Sequence, residues 1–222
     1  IRDRTILEAL KLRKKTRSWL GPILVFWLIM LAYPLTIEVS PKNLEIGFFS
    51  VLWIAILLSM MFATEDIFTE DYNDGSLEQS LISETSFSYL VGLRVLIHWL
   101  LIGIPISLLS FIFSLGTTEN LSLSLLILPF AMMSSYIFLN LFVLGNSLSL
   151  SKGSVLGAII TLPMALPVLI VLGKSITAIQ LEINYSGFIF LLLGSLSIII
   201  VSVPIVVSYL SLIHISEPTR QD

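Results

Sequence analysis

Residues 44–63 read LEIGFFSVLWIAILLSMMFA, and residues 64–90 read TEDIFTEDYNDGSLEQSLISETSFSYL. The first stretch carries one charged side chain, Glu45, close to its start. Its apolar residues run on without alternation. A bilayer core takes ~20 such residues as a helix, because lipid tolerates only segments that satisfy their own backbone polar groups. The second stretch is polar and acidic. The switch from one to the other predicts a membrane helix that hands the chain to water. Working outward, further apolar runs lie at 19–37, 91–115, 121–144, 155–172 and 187–209. Breakers fall between them at Ser40-Pro41-Lys42-Asn43, Gly116 to Asn120, Gly145-Asn146 through Lys152-Gly153, and Asn184 to Gly187.

Composition agrees. Hydrophobic residues make up 56% of the chain and charged residues 12%, where a soluble domain carries roughly 25% charged. Mean hydropathy is +0.98. A soluble globular enzyme, a disordered chain and a nucleic-acid binder are excluded. Six spans use roughly 120 positions, which leaves no room for a second folded domain. The expectation is one all-α, polytopic membrane domain over residues 1–209. A β-barrel would need alternating segments. The chain has no cysteine, so disulfides, thiolate metal sites and cysteine nucleophiles are excluded. It opens on Ile1 and not on Met, which places the expected start upstream. From Leu210 the string LSLIHISEPTR resembles the translation of a sequencing adapter, so residues 210–222, with His214, are set aside as a scar.

Lysine and arginine fix the expected orientation. Arg2, Arg4, Lys11, Arg13, Lys14, Lys15 and Arg17 precede the first span, and Arg94 and Lys152 fall on the same side. Only Lys42 and Lys174 fall on the other. The positive-inside rule puts the N-terminus and the 64–90 stretch in the cytoplasm. Two readings of the N-terminal segment stand. It is a basic topology anchor, or a short surface helix with Ile6, Leu7, Leu10 and Trp19 in the headgroup layer.

The 64–90 stretch holds Glu65, Asp66, Glu70, Asp71, Asp74, Glu78 and Glu84, with no lysine or arginine. Anionic lipid on the cytoplasmic face repels such a segment, so it needs a basic partner or a structure that holds it off the bilayer. Gly75 breaks a helix arriving from span two. Ser76 with Gln79 fits a capping box and starts a new helix. Leu77 and Leu81 then share one face of it. The expectation is a short amphipathic helix parallel to the membrane, presented to a docking partner. A solvated acidic loop is the alternative. A calcium loop does not fit: with Gly75 at the sixth position, Tyr72 and Leu81 occupy ligand positions.

The string Asp74-Gly75-Ser76-Leu77-Glu78-Gln79 after span two, followed by His98-Trp99 and Gly103-Ile104-Pro105 in span three, resembles the CcmB-type permease of bacterial cytochrome c maturation. The likeness extends from Trp19 to about Tyr209. It implies an ABC-2-type permease fold, with residues 74–82 as a cytoplasmic coupling helix between spans two and three. Asp74, Gly75, Ser76, Leu77, Glu78, Gln79 and Leu81 would then make the ATPase contact. It further implies a bacterial inner-membrane location and a separate CcmA-type ATPase. CcmC- and CcmD-type membrane proteins and a CcmE-type haem chaperone would be the other partners. The complex would export haem or use ATP to release the haem-loaded chaperone, with haem a candidate substrate and not a resident cofactor. Rival readings are an exporter of the same fold with a lipid-linked or drug substrate, and a scaffold that transports nothing.

The chain itself has no nucleotide site. Gly173-Lys174-Ser175 mimics the end of a phosphate-binding loop, but Val168 stands where its first glycine belongs. Trp19, Trp27, Trp53 and Trp99 are scattered, unlike the tryptophan-rich motif of the haem-handling partner. No catalytic triad or metal-ligand spacing is present. Polar residues inside spans are candidate transport-path or interhelical contacts. Arg94 and His98, one turn apart, read either as haem contacts or as a snorkelling cation and an interhelical hydrogen bond. Trp99 follows them. Asn140 is expected to bond between helices, and Asn146 to sit at a helix terminus. Pro105, Pro163 and Pro167 are expected to kink spans three and five, as hinges lining a path or as static bends. The 173–187 stretch is expected as a loop on the far side, able to form a lid or dip back into the membrane.

Overall fold

The computed structural model describes residues 16–36, 41–65, 67, 87–149 and 154–216. The coupling-helix stretch 74–82 and the basic N-terminal segment up to Lys15 lie outside these. The helices are α1 (Thr16–Thr36), α2 (Pro41–Thr64), α3 (Phe87–His98), a π-helical turn (Trp99–Gly103), α4 (Ile104–Thr118), α5 (Leu121–Leu148), α6 (Ser154–Gln180) and α7 (Ser186–Ser216). With α3, the π turn and α4 running as one span from Phe87 to Thr118, six helices are long and apolar enough to cross a membrane. No strand is present among the described residues. The protein is an all-α, multi-pass membrane protein.

These helices are apolar all round, so polarity alone does not choose their inner faces. Small residues do. Ser107, Ser110, Ser114, Ser124, Ser134 and Ser135 are buried, while Leu28, Leu35, Ile159, Ile170, Phe190 and Ile198 face outward. Lipid is as apolar as leucine, so close backbone approach and hydrogen bonding hold membrane helices together. The buried hydroxyls cost little, because many bond back into their own helix: Ser107 Oγ donates to Gly103 O at 2.8 Å and Ser110 Oγ to Ile106 O at 2.8 Å. Helix α5 is the hub. It packs on α2, α4, α6 and α7, and it is the most enclosed span, as α7 is the least. Helix α1 leans on α2 through Tyr33 and Phe48, and on α4 through Phe26 and Phe113.

Three boundaries differ from the sequence expectation. Helix α5 does not end at Gly145 but continues through Asn146 to Leu148. Both residues sit at a tight helix contact, where a small side chain and a satisfied amide are assets. Helix α6 runs to Gln180, so the expected 173–187 loop shrinks to 181–185 and no lid forms. That end is closed by Glu182 in the left-handed region (φ 55°), with Ile183 N donating to Ala178 O at 2.8 Å and Glu182 N to Ile179 O at 3.1 Å. Helix α4 runs to Thr118, past its expected end at 115, so the turn into α5 is residues 119–120 alone. Glu119, also left-handed (φ 53°), ends α4, and Asn120 Oδ1 caps α5 by accepting from Leu123 N at 3.1 Å.

Span three is not a plain helix. The N–H of Ile104 reaches back to Trp99 O, one residue further than in an α-helix. Pro105 explains it. Proline has no N–H, and its ring crowds the carbonyl four residues before it. Opening one wider turn just ahead of the ring relieves that clash.

Candidate functional site

Spans two and three are joined by the long acidic connector, and the bundle end that carries Thr64, Phe87, Leu148 and Ser154 is the connector end. Helix α2 finishes there with orphan carbonyls, as every helix does. The Thr64 hydroxyl turns back to Met61 O at 2.9 Å and Met60 O at 3.2 Å. The Thr64 carbonyl accepts from Asn146 Nδ2 of α5 at 2.8 Å, in a buried bond. Three residues on, the Ile67 carbonyl accepts from Arg94 Nη1 of α3 at 3.0 Å. The last residue of α2 is therefore tied to span four by an amide, and the third residue beyond it to span three by a guanidinium. Arg94 is half-buried, so the tie replaces the free snorkelling expected of it.

Asn146 is itself held from behind. Its carbonyl accepts from Ser149 N at 3.2 Å and Ser149 Oγ at 3.3 Å. Helix α6 presses against the same place. A methyl group added at Gly157 would lie 2.7 Å from the Gly145 carbonyl oxygen, 2.7 Å from Ser149 Oγ and 2.8 Å from Asn146 Oδ1. A methyl at Gly145 would overlap Thr161 Cγ2 and the Gly157 carbonyl. The α5–α6 crossing thus brings backbone against backbone.

His98 lies one turn beyond Arg94 and is 5% exposed. Its Nδ1 is 2.9 Å from the Arg94 carbonyl oxygen. A carbonyl only accepts, so Nδ1 carries the proton in this bond. The bond stays inside α3, not between helices as expected, because the buried ring folds against its own backbone. Trp99 does reach across: its Nε1 donates to Ser135 Oγ of α5 at 3.0 Å, and its ring meets Tyr136 edge-on with centroids 5.3 Å apart. Asn140 Nδ2 donates to Tyr136 O of its own helix at 2.8 Å. Asn146 sits in the last turn of α5, as expected, and also takes the interhelical role expected of Asn140. Asn146 ties two helices together, and Asn140 braces one. Among the described residues no three His, Asp or Glu side chains gather closely enough to hold a metal ion.

The chain matches the family of the CcmB protein over residues 4–211. The chain belongs to the CcmB family. It is 30% identical over 176 residues to Heme exporter protein B of Haemophilus influenzae, covering 78% of this chain and 80% of that protein. Against Heme exporter protein B of Pseudomonas aeruginosa the identity is 28% over 165 residues, covering 73% of this chain and 74% of that protein. Against that of Escherichia coli K12 it is 27% over 174 residues, covering 78% and 79%.

In this CcmB-family chain the sequence-derived candidates fall into three groups. Asp74, Gly75, Ser76, Leu77, Glu78, Gln79 and Leu81 lie outside the described residues. Trp99 bridges spans three and four, Arg94 reaches the root of the connector, His98 and Asn140 bond within their own helices, and Pro105 follows the π turn of span three. Pro163 and Pro167 are exposed on α6 and are not brought to this cluster. Sequence reasoning missed Thr64, Gly145, Asn146 and Gly157 as a unit. The signal available was Gly157 and Thr161 one turn apart, a small-residue pair of the kind that marks close helix crossings.

Proposed function

We propose that this chain is the membrane permease subunit of an ABC-type haem exporter complex acting in cytochrome c maturation. The observation that carries this reading is the CcmB family match across residues 4–211. It is joined by the likeness to proteins named Heme exporter protein B over about four fifths of their length. In this reading the protein sits in the bacterial inner membrane with its N-terminus in the cytoplasm, as the lysine and arginine bias requires. The connector end then faces the cytoplasm. ATP is hydrolysed by a separate CcmA-type subunit, and CcmC-, CcmD- and CcmE-type proteins complete the assembly. Haem is the cargo. Residues 74–82 form the coupling helix that meets the ATPase, with Asp74 and Glu78 supplying charge, Gly75 and Ser76 the turn and cap, and Leu77 and Leu81 the apolar face.

The test is double charge reversal, Asp74→Lys with Glu78→Lys. It leaves every apolar span intact, so the permease still inserts. ATPase recovered with the affinity-purified permease should fall about tenfold, the equivalent of ~1.4 kcal/mol. Unchanged recovery in membranes that hold normal amounts of permease would remove the coupling-helix assignment.

A further inference from the structure

We infer that Asn146 and Arg94 are positioning residues that clamp the root of the connector to spans three, four and five, so that movement of the connector becomes movement of those helices. The inference rests on the reading of residues 74–82 as the ATPase contact, and it concerns only residues outside that stretch.

The geometry is specific. A helix end facing water needs no protein donor for its last carbonyls. Here two donors from two different helices are spent within four residues, at Thr64 O (2.8 Å from Asn146 Nδ2) and Ile67 O (3.0 Å from Arg94 Nη1). Thr64 is fully buried, and Asn146 is 9% exposed, so water does not readily replace the amide. The clamp has no slack behind it. Gly145 and Asn146 lie against the Gly157 backbone without room for a methyl group. A displacement of Thr64 therefore reaches α5 through Asn146 and α6 through Gly157. A displacement of Ile67 reaches α3 through Arg94, just before the π turn at Trp99–Gly103. Packed interfaces of this kind pass on a shift and do not absorb it.

The experiment compares Asn146→Leu, Arg94→Met and Arg94→Lys with wild type in the full complex. Three quantities are read: ATPase recovered with the permease, ATP hydrolysis rate, and c-type cytochrome yield per unit of assembled complex. Asn146→Leu and Arg94→Met should keep the ATPase bound and its rate within about twofold, while yield per complex falls about tenfold, as a lost coupling free energy of ordinary size predicts. Arg94→Lys retains a donor and should keep most of the yield. Wild-type yield per complex in both Asn146→Leu and Arg94→Met overturns the clamp. So does a loss of complex with normal yield from what remains, the outcome of a purely structural tie. If Asn146→Leu does not accumulate in the membrane, the Arg94→Met and Arg94→Lys pair decides alone. Failure of the underlying reading looks different. In that case the ATPase stays bound after the Asp74 and Glu78 reversal, whatever the clamp variants do.

Discussion

Gly157 and Gly145 set the closest approach in the molecule among the described glycines, with Gly103 beneath the Trp99 ring. At Gly157 the obstructing atoms include the Gly145 carbonyl, which is backbone and does not rotate away. Gly157→Ala should therefore force α5 and α6 apart and loosen Asn146 with them. The expected cost is about 1–3 kcal/mol, the range for overpacking a tight contact, read as a lowered melting temperature of the detergent-purified permease. Gly194→Ala is the control, since nothing lies within 4 Å of its added methyl, and it should melt as wild type does. At this scale the sequence was only partly legible. Both asparagines and Arg94 were visible as polar residues in apolar surroundings. Which of them crosses to another helix depends on the rotation of α5 about its axis, and a stretch apolar on all sides does not encode that rotation. Asn146 faces Thr64 because the Gly145–Gly157 contact turns it there.

The elements were legible in number and imperfect at their ends. Hydropathy locates a span by its middle, so the six runs were found. Ends are decided by capping, and a glycine or asparagine reads as a breaker until its packing is known. That is why α5 and α6 extend beyond their expected limits and why the far-side loop contracts to five residues, 181–185. The π turn was not foreseen, although Pro105 was expected to distort span three. The proposed coupling helix is tested at Gly75. In that proposal Gly75 lets the chain leave span two, turn, and begin a helix along the membrane surface. Gly75→Val removes easy access to positive φ and should tilt Leu77 and Leu81 from their partner. Membrane insertion should persist while c-type cytochrome yield falls and ATP hydrolysis continues. Ser76→Ala loses only the cap, worth ~1 kcal/mol, and should produce a weaker version of the same defect. Full maturation with Gly75→Val would make the segment a passive acidic loop.

At the scale of the whole molecule, the arrangement divides labour between two surfaces. The outward faces of α1, α6 and α7 are large and apolar, as lipid or neighbouring membrane subunits require. The connector end gathers the buried amide, the guanidinium and the tight glycine crossing around α5, the helix that touches most of the others. In the proposed orientation, an acidic connector rooted in that cluster is placed to pass a cytoplasmic event into the bundle. This division was legible as a class, a six-span permease with a polar segment after span two, because composition and charge bias act over the whole chain. The root of the connector was not, because it is made of contacts between residues as far apart as Thr64 and Asn146. The most direct measurement is site-specific photo-crosslinking from Gln79, within the assembled complex in its native membrane, with a photoreactive residue also placed at Asn184 as the far-side control. The account predicts an adduct between Gln79 and the ATPase subunit, diminished by the Asp74 and Glu78 reversal, and none from Asn184. An ATPase adduct from Asn184, or lipid adducts alone from Gln79 while the ATPase remains in the complex, would contradict it.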